Sequence, residues 1–131
     1  MPLEHIFVDM DGVITDFVAA SLIVHGKPDA LRIWPAGERD IPKVLGLSRT
    51  QYWNAIDDQG SDFWASLDPF PWFIDLIDLV REFAPMTILT SPSLLPSCLE
   101  GKVRWLHHHF PKVKGRLFTD YLIGNQKHLL A

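Results

Sequence analysis

Two carboxylates one residue apart, Asp9 and Asp11 in the stretch IFVDMDGVITDF, stand where an apolar run gives way to Gly12. Further on, Thr90 and Ser91 end a second apolar run, Lys102 lies at the start of the helix-like stretch beyond it, and Lys127 follows a third run. Together these groups suit phosphoryl transfer to a carboxylate. A carboxylate that attacks phosphorus needs its own charge and that of the phosphate offset, which a divalent oxygen-loving cation and a lysine achieve. Asp9 is then the nucleophile, forming an aspartyl-phosphate. Asp11, two residues on, leaves the extended chain on the same side; it serves as acid toward the leaving alkoxide and as base toward the attacking water. Gly12 lets the chain turn sharply. Thr90 offers a hydroxyl donor to a phosphate oxygen, and Lys127 a mobile positive charge. Magnesium fits as the cation, because hard oxygen ligands dominate and no Cys/His cluster competes for a softer ion.

Such groups must be carried by rigid elements, and the hydrophobic pattern supplies them. His5 to Val8 and Pro85 to Pro92 read as short apolar strands of a parallel sheet covered on both faces. A third strand is expected at GRLFTD, residues 115–120, and a last helix at NQKHLLA, residues 125–131. DFVAASLIVH, residues 16–25, has helical spacing, with Asp16 as its cap. PWFIDLIDLVREFA gathers Phe73, Leu76, Ile77, Val80 and Phe83 on one face, an amphipathic helix. SCLEGKVRWLHHHF reads as another, with Leu99, Val103, Leu106 and Phe110 toward the core. Strands alternating with helices imply right-handed parallel crossovers. Residues 30–68 differ: they are rich in prolines, turns and tryptophans, carry a plausible helix capped by Ser48, and hold no convincing strand. In open parallel sheets chemistry gathers beyond the carboxyl ends of the strands, where Asp9, Asp11, Thr90 and Ser91 fall.

Composition bounds the rest. With 131 residues, 47% of them hydrophobic, the chain suffices for one core. The formal charge of −4 is interspersed, so no basic stripe argues for a nucleic-acid partner. Cys98 is the single cysteine, which excludes an internal disulfide and suits a reduced compartment. With no signal-like start and no long apolar run, a cytoplasmic chain without a membrane partner is expected.

IFVDMDGVITD resembles the first motif of the haloacid dehalogenase-like (HAD-like) phosphohydrolases, an apolar strand followed by Asp-x-Asp-Gly-Val, and TILTSPS resembles their second. The wider pattern DMDGVITDF…FW…LDPFP…ILTSPS…K…WL…HF…K is similar to the 5′(3′)-deoxyribonucleotidase family, which dephosphorylates nucleoside monophosphates. The resemblance spans about Ile6 to Ala131, loosely in the middle. It implies an α/β fold: a HAD-like Rossmannoid parallel sheet with helices on both faces, formed by residues 1–16 and 70–131, and a helical cap insertion at residues 17–69. It also implies magnesium held by the Asp9 side chain and the Asp11 main-chain carbonyl, with Thr90 and Lys127 on the phosphate. Phe17 falls where the family places an aromatic beside the base, and Trp64 matches a cap aromatic shaping the same pocket.

Several positions keep two readings. Ser91 either contacts phosphate or ends its strand. Lys102 rivals Lys127 for the phosphate; family spacing favours Lys127, with Lys102 a further substrate contact. Trp34, Trp53 and Trp72 read as core residues. His107, His108 and His109 read as a solvated helix face, since consecutive helical positions cannot chelate one ion well. A phosphatase of another small ester, or a non-catalytic phosphate-binding module, stays open beside the nucleotidase reading. The family's fourth motif, a strand ending in aspartates, has no counterpart before Ala131. Its absence is expected to leave the first strand as an open sheet edge, as in a truncated chain or a natural short form, or one that another copy covers in a homo-oligomer. The 131-residue chain alone is therefore expected to bind magnesium weakly and turn over slowly; fast magnesium-dependent phosphate release by a monomer of verified mass overturns this.

Overall fold

A computed structural model describes residues 3–110 and 117–130 of the chain. The apolar runs form a three-stranded parallel sheet in the order β1 (Ile6–Val8), β2 (Met86–Thr90), β3 (Tyr121–Ile123). Val8 pairs with Ile88, Ile88 with Tyr121, and Thr90 with Ile123. Because the strands succeed one another in a single direction, right-handed crossovers place both connecting helices on one face. These are α5 (Phe73–Phe83) and α6 (Pro96–His109). Val8, Met86 and Ile88 share a buried core with Phe73 and Ile77 of α5 and with Trp105 and Leu106 of α6.

The opposite sheet face carries Phe7, 40% exposed, and Leu122, 48% exposed. Helices on both faces were the expectation; among the described residues they cover one, since covering the second takes a crossover running the other way from β1. β1 is correspondingly an edge strand of the described sheet.

Between β1 and α5 the chain forms α1 (Phe17–Val24), α2 (Ile41–Leu45), α3 (Arg49–Asp57) and α4 (Ser61–Ala65), with a 3-10 turn at Ala30–Ile33. Local sequence accounts for their starts. The Asp16 carboxylate accepts from the Ala19 amide and caps α1. Ser48 and Gln51 exchange side-chain and backbone hydrogen bonds across the first turn of α3, a capping box. This segment is tied to the helix layer where α4 crosses α6 at Gly101. A methyl group there would overlap the Ser61 carbonyl oxygen and the Trp64 Cβ, so only glycine admits the close approach. Next to it, the Trp105 indole donates to the Leu67 carbonyl at 2.7 Å.

Several expectations shift. The buried face of α6 is Cys98, Gly101, Lys102, Trp105 and Leu106, whereas Leu99 is exposed; packing against α4 rotates the helix away from the purely apolar stripe. Phe83, in the last turn of α5, is 64% exposed and does not share the buried face of Phe73 and Ile77. The third strand begins after the predicted segment, since Ile88 donates to the Asp120 carbonyl and so fixes the ladder at Tyr121. Gly115 and Arg116 of that segment, like Ala131, lie outside the described residues. Lys127–Leu130 is a 3-10 turn. No described helix is long and apolar enough to cross a membrane. Gly101→Ala is expected to lower the unfolding free energy by about 1–3 kcal/mol through overpacking; an unchanged urea midpoint contradicts the tight crossing.

Candidate active site

The turn after β1 is closed by a single carbonyl. Met10 O accepts from the amides of Val13, Ile14 and Thr15 at 3.2, 2.9 and 3.0 Å, while Gly12, at φ +81°, donates back to Thr15 O. Asp16 N donates to Asp68 O and Phe70 N to Ile14 O, so the turn is clamped from the side by the chain entering α5. Asp9 and Asp11 flank Met10 at the start of this turn.

Each carboxylate meets its own lysine. Asp9 Oδ1 accepts from the Met10 amide at 2.7 Å, and Oδ2 lies 3.4 Å from Lys127 Nζ in a half-exposed ion pair. Asp11 Oδ1 accepts from the Thr15 hydroxyl at 2.8 Å, and Oδ2 from Lys102 Nζ at 3.0 Å. Lys102 is fully buried. Its ammonium also donates to Thr90 Oγ1 at 2.7 Å and to Ser91 O at 2.9 Å, which uses all three of its protons. The Trp64 ring covers it, with Nζ 5.4 Å from the ring centroid, a cation–π contact.

Lys102 is therefore a tie between Asp11 and the end of β2, not a group with a proton left for phosphate. Sequence reasoning placed it second to Lys127 for the same ligand and missed this part. The signal was present in its spacing: Cys98, Lys102 and Trp105 recur at helical intervals, so a lysine stands on an apolar stripe. Thr90 accepts from Lys102 and keeps its own hydroxyl proton to donate. Ser91 contributes its carbonyl to Lys102 and lines the neighbouring cavity.

That cavity, about 600 Å³, opens beside Asp11 and is walled by Phe17, Trp53 and Trp64 on one side and by Ser91, Pro92 and Leu94 on the other. Phe17 stacks with Trp64 at 5.5 Å and with Trp53 at 5.9 Å. Trp64 is almost wholly buried between Phe17 and Lys102, so it is a wall more than a platform. Trp53, read from sequence as core, is half-buried and lines the cavity.

Two other groups have environments of their own. Cys98 is buried and its sulfur accepts from the Ser93 amide; burial raises its thiol pKa above the ordinary value. His109 rests on the Trp105 ring at 4.2 Å, and burial, with His108 adding, lowers its pKa. The histidine run is thus partly packed: only His108 is exposed.

Among the described residues no group of three His, Cys, Asp or Glu side chains could hold a metal ion. Magnesium asks less, since one or two carboxylates suffice when water and substrate phosphate complete its shell. The oxygens of Asp9 and Asp11 fit that chemistry. No family model and no curated protein matches the chain.

The two ion pairs differ in depth, which predicts different costs. Lys102→Met, leaving Asp11 and Thr90 without their donor, is expected to lower the unfolding free energy by about 3–5 kcal/mol, and Lys127→Met by no more than about 1 kcal/mol. Equal losses in urea titrations contradict this assignment.

Proposed function

We propose that the chain is a magnesium-dependent phosphomonoesterase acting on nucleoside or deoxynucleoside monophosphates through an aspartyl-phosphate on Asp9. The observation that carries the reading is the pair of lysine-paired aspartates on a glycine turn beyond a parallel strand, the second of which, Asp11, lines an aromatic-walled cavity. Isolated, two carboxylates repel a phosphate dianion. With Lys127 and Lys102 facing them the local charge is close to neutral, and the phosphate can approach.

With a proton first taken up from solvent by Asp11, an oxygen of Asp9 attacks phosphorus, the bond to the ester oxygen breaks, and the leaving alkoxide takes that proton from Asp11. Water then attacks the phosphorus of the acyl phosphate and gives its proton to Asp11, which restores the Asp9 carboxylate and releases inorganic phosphate. Thr90 donates its hydroxyl proton to a phosphate oxygen. Lys127, half-exposed and only loosely held to Asp9, swings to the phosphate, whereas Lys102 stays to orient Asp11. Because Lys102 and Thr15 occupy both oxygens of Asp11, Asp11 must release one of them to carry a proton. The Asp9 side chain and the Asp11 main-chain carbonyl would hold a magnesium ion, which would supply further charge neutralisation for the phosphate.

The test is phosphate release from a panel of esters with magnesium, together with phosphoryl-label trapping on the intact chain, which registers slow turnover. Asp11→Asn is expected to slow release by about 10²–10⁴-fold, and Asp9→Asn to abolish trapping. Non-nucleotide esters cleaved severalfold faster than nucleoside monophosphates sink the nucleotidase reading.

A further inference from the structure

The cavity has a polar side that phosphate chemistry does not use. α3 lines it with Arg49, Trp53, Asn54 and Asp57, residues that helical spacing brings to one face. Asp57 is out of keeping with its surroundings. It closes the last turn of α3, directly before Asp58, where the partial negative charge of the helix end opposes a carboxylate. Its Oδ1 is buried and has no hydrogen-bond partner among the described residues, which costs free energy. Breaches of local consistency of this kind concentrate at functional positions.

An ionised carboxylate only accepts hydrogen bonds, so a ligand that relieves Asp57 must bring N–H or O–H donors. The terminal torsion of a carboxylate is soft, and either oxygen can meet such a donor. We infer that Asp57 selects the nucleobase, favouring guanine, adenine and cytosine over thymine and uracil, with Trp53 as the surface on which the ring stacks. The inference rests on the nucleoside monophosphate reading of the site. The three favoured bases carry an exocyclic amino group that donates to the carboxylate. Thymine and uracil instead flank a single N–H with two carbonyl oxygens, and the carboxylate repels these. Asn54, three residues earlier on α3, both donates and accepts, and so suits the ring nitrogen or carbonyl beside an amino group.

The experiment measures kcat/KM for the 5′-monophosphates of deoxyguanosine, deoxyadenosine, deoxycytidine and thymidine, each divided by the value for base-free phenyl phosphate. The amino-bearing nucleotides are expected to exceed thymidine monophosphate by about fivefold or more, the lower end of what one well-formed base contact contributes. Asp57→Asn, whose amide can donate to a thymine carbonyl, is expected to erase the difference. Equal values for the wild-type chain, a preference for thymidine, or a preference that survives Asp57→Asn overturns the inference. In parallel, tryptophan fluorescence follows binding of deoxyguanosine and thymidine to the wild-type chain, which requires neither turnover nor a folded variant. Should no ester be cleaved, the phosphatase reading falls by itself, and tighter binding of deoxyguanosine than of thymidine still decides for Asp57, while equal binding decides against it.

Discussion

A buried ammonium group is tolerable only where its charge and all its protons are matched, and Lys102 imposes that condition on everything around it. Its three acceptors come from different parts of the chain: the turn after β1 (Asp11), the last residue of β2 (Thr90), and the backbone just beyond (Ser91). One side chain from α6 thus fixes the distance between the two strand ends at which the proposed chemistry takes place. Desolvating a lysine costs several kcal/mol unless paired, so the arrangement holds only if all three acceptors are in place together.

That demand extends into the helical segment. Lys102 stays dry because Trp64 lies over it, and Trp64 reaches it because the neighbouring Gly101 lets α4 sink against α6. Phe17 then stacks on Trp64 and also on Trp53. A continuous path of packing therefore runs from the ion pair to the cavity wall. The consequence is a contrast between the lysines: Lys102 is fully buried with all three protons engaged, and Lys127 is half-exposed in a 3.4 Å pair with Asp9.

Much of this was legible in the chain. The strand ends at Asp9–Asp11 and at Thr90, the cap at Asp16 and the cap at Ser48 follow from local patterns, because an apolar run, a capping side chain and a turn glycine act within a few residues of themselves. β3 was not legible: Leu117 and Phe118 look as strand-like as Tyr121 to Ile123, and only pairing with Ile88 chooses between them. The face of α6 was misjudged for a related reason. Hydrophobic spacing favoured Leu99 over the rival stripe of Cys98, Lys102 and Trp105, because what makes that stripe buriable, the pairing of Lys102 with Asp11 91 positions away, is a contact between distant segments.

By itself, then, the sequence determined the alternation of strands and helices, the two-carboxylate turn and the residue types from which a phosphate site can be assembled, since these depend on neighbours along the chain. Tertiary structure decided which lysine is fully buried and which is half-exposed, which tryptophan is almost wholly buried and which is half-buried along the cavity, and that Asp57 ends a helix beside the cavity with no partner among the described residues for one of its oxygens. Those choices are set by burial and by charge pairing between distant segments, and such energies exist only once the segments have met.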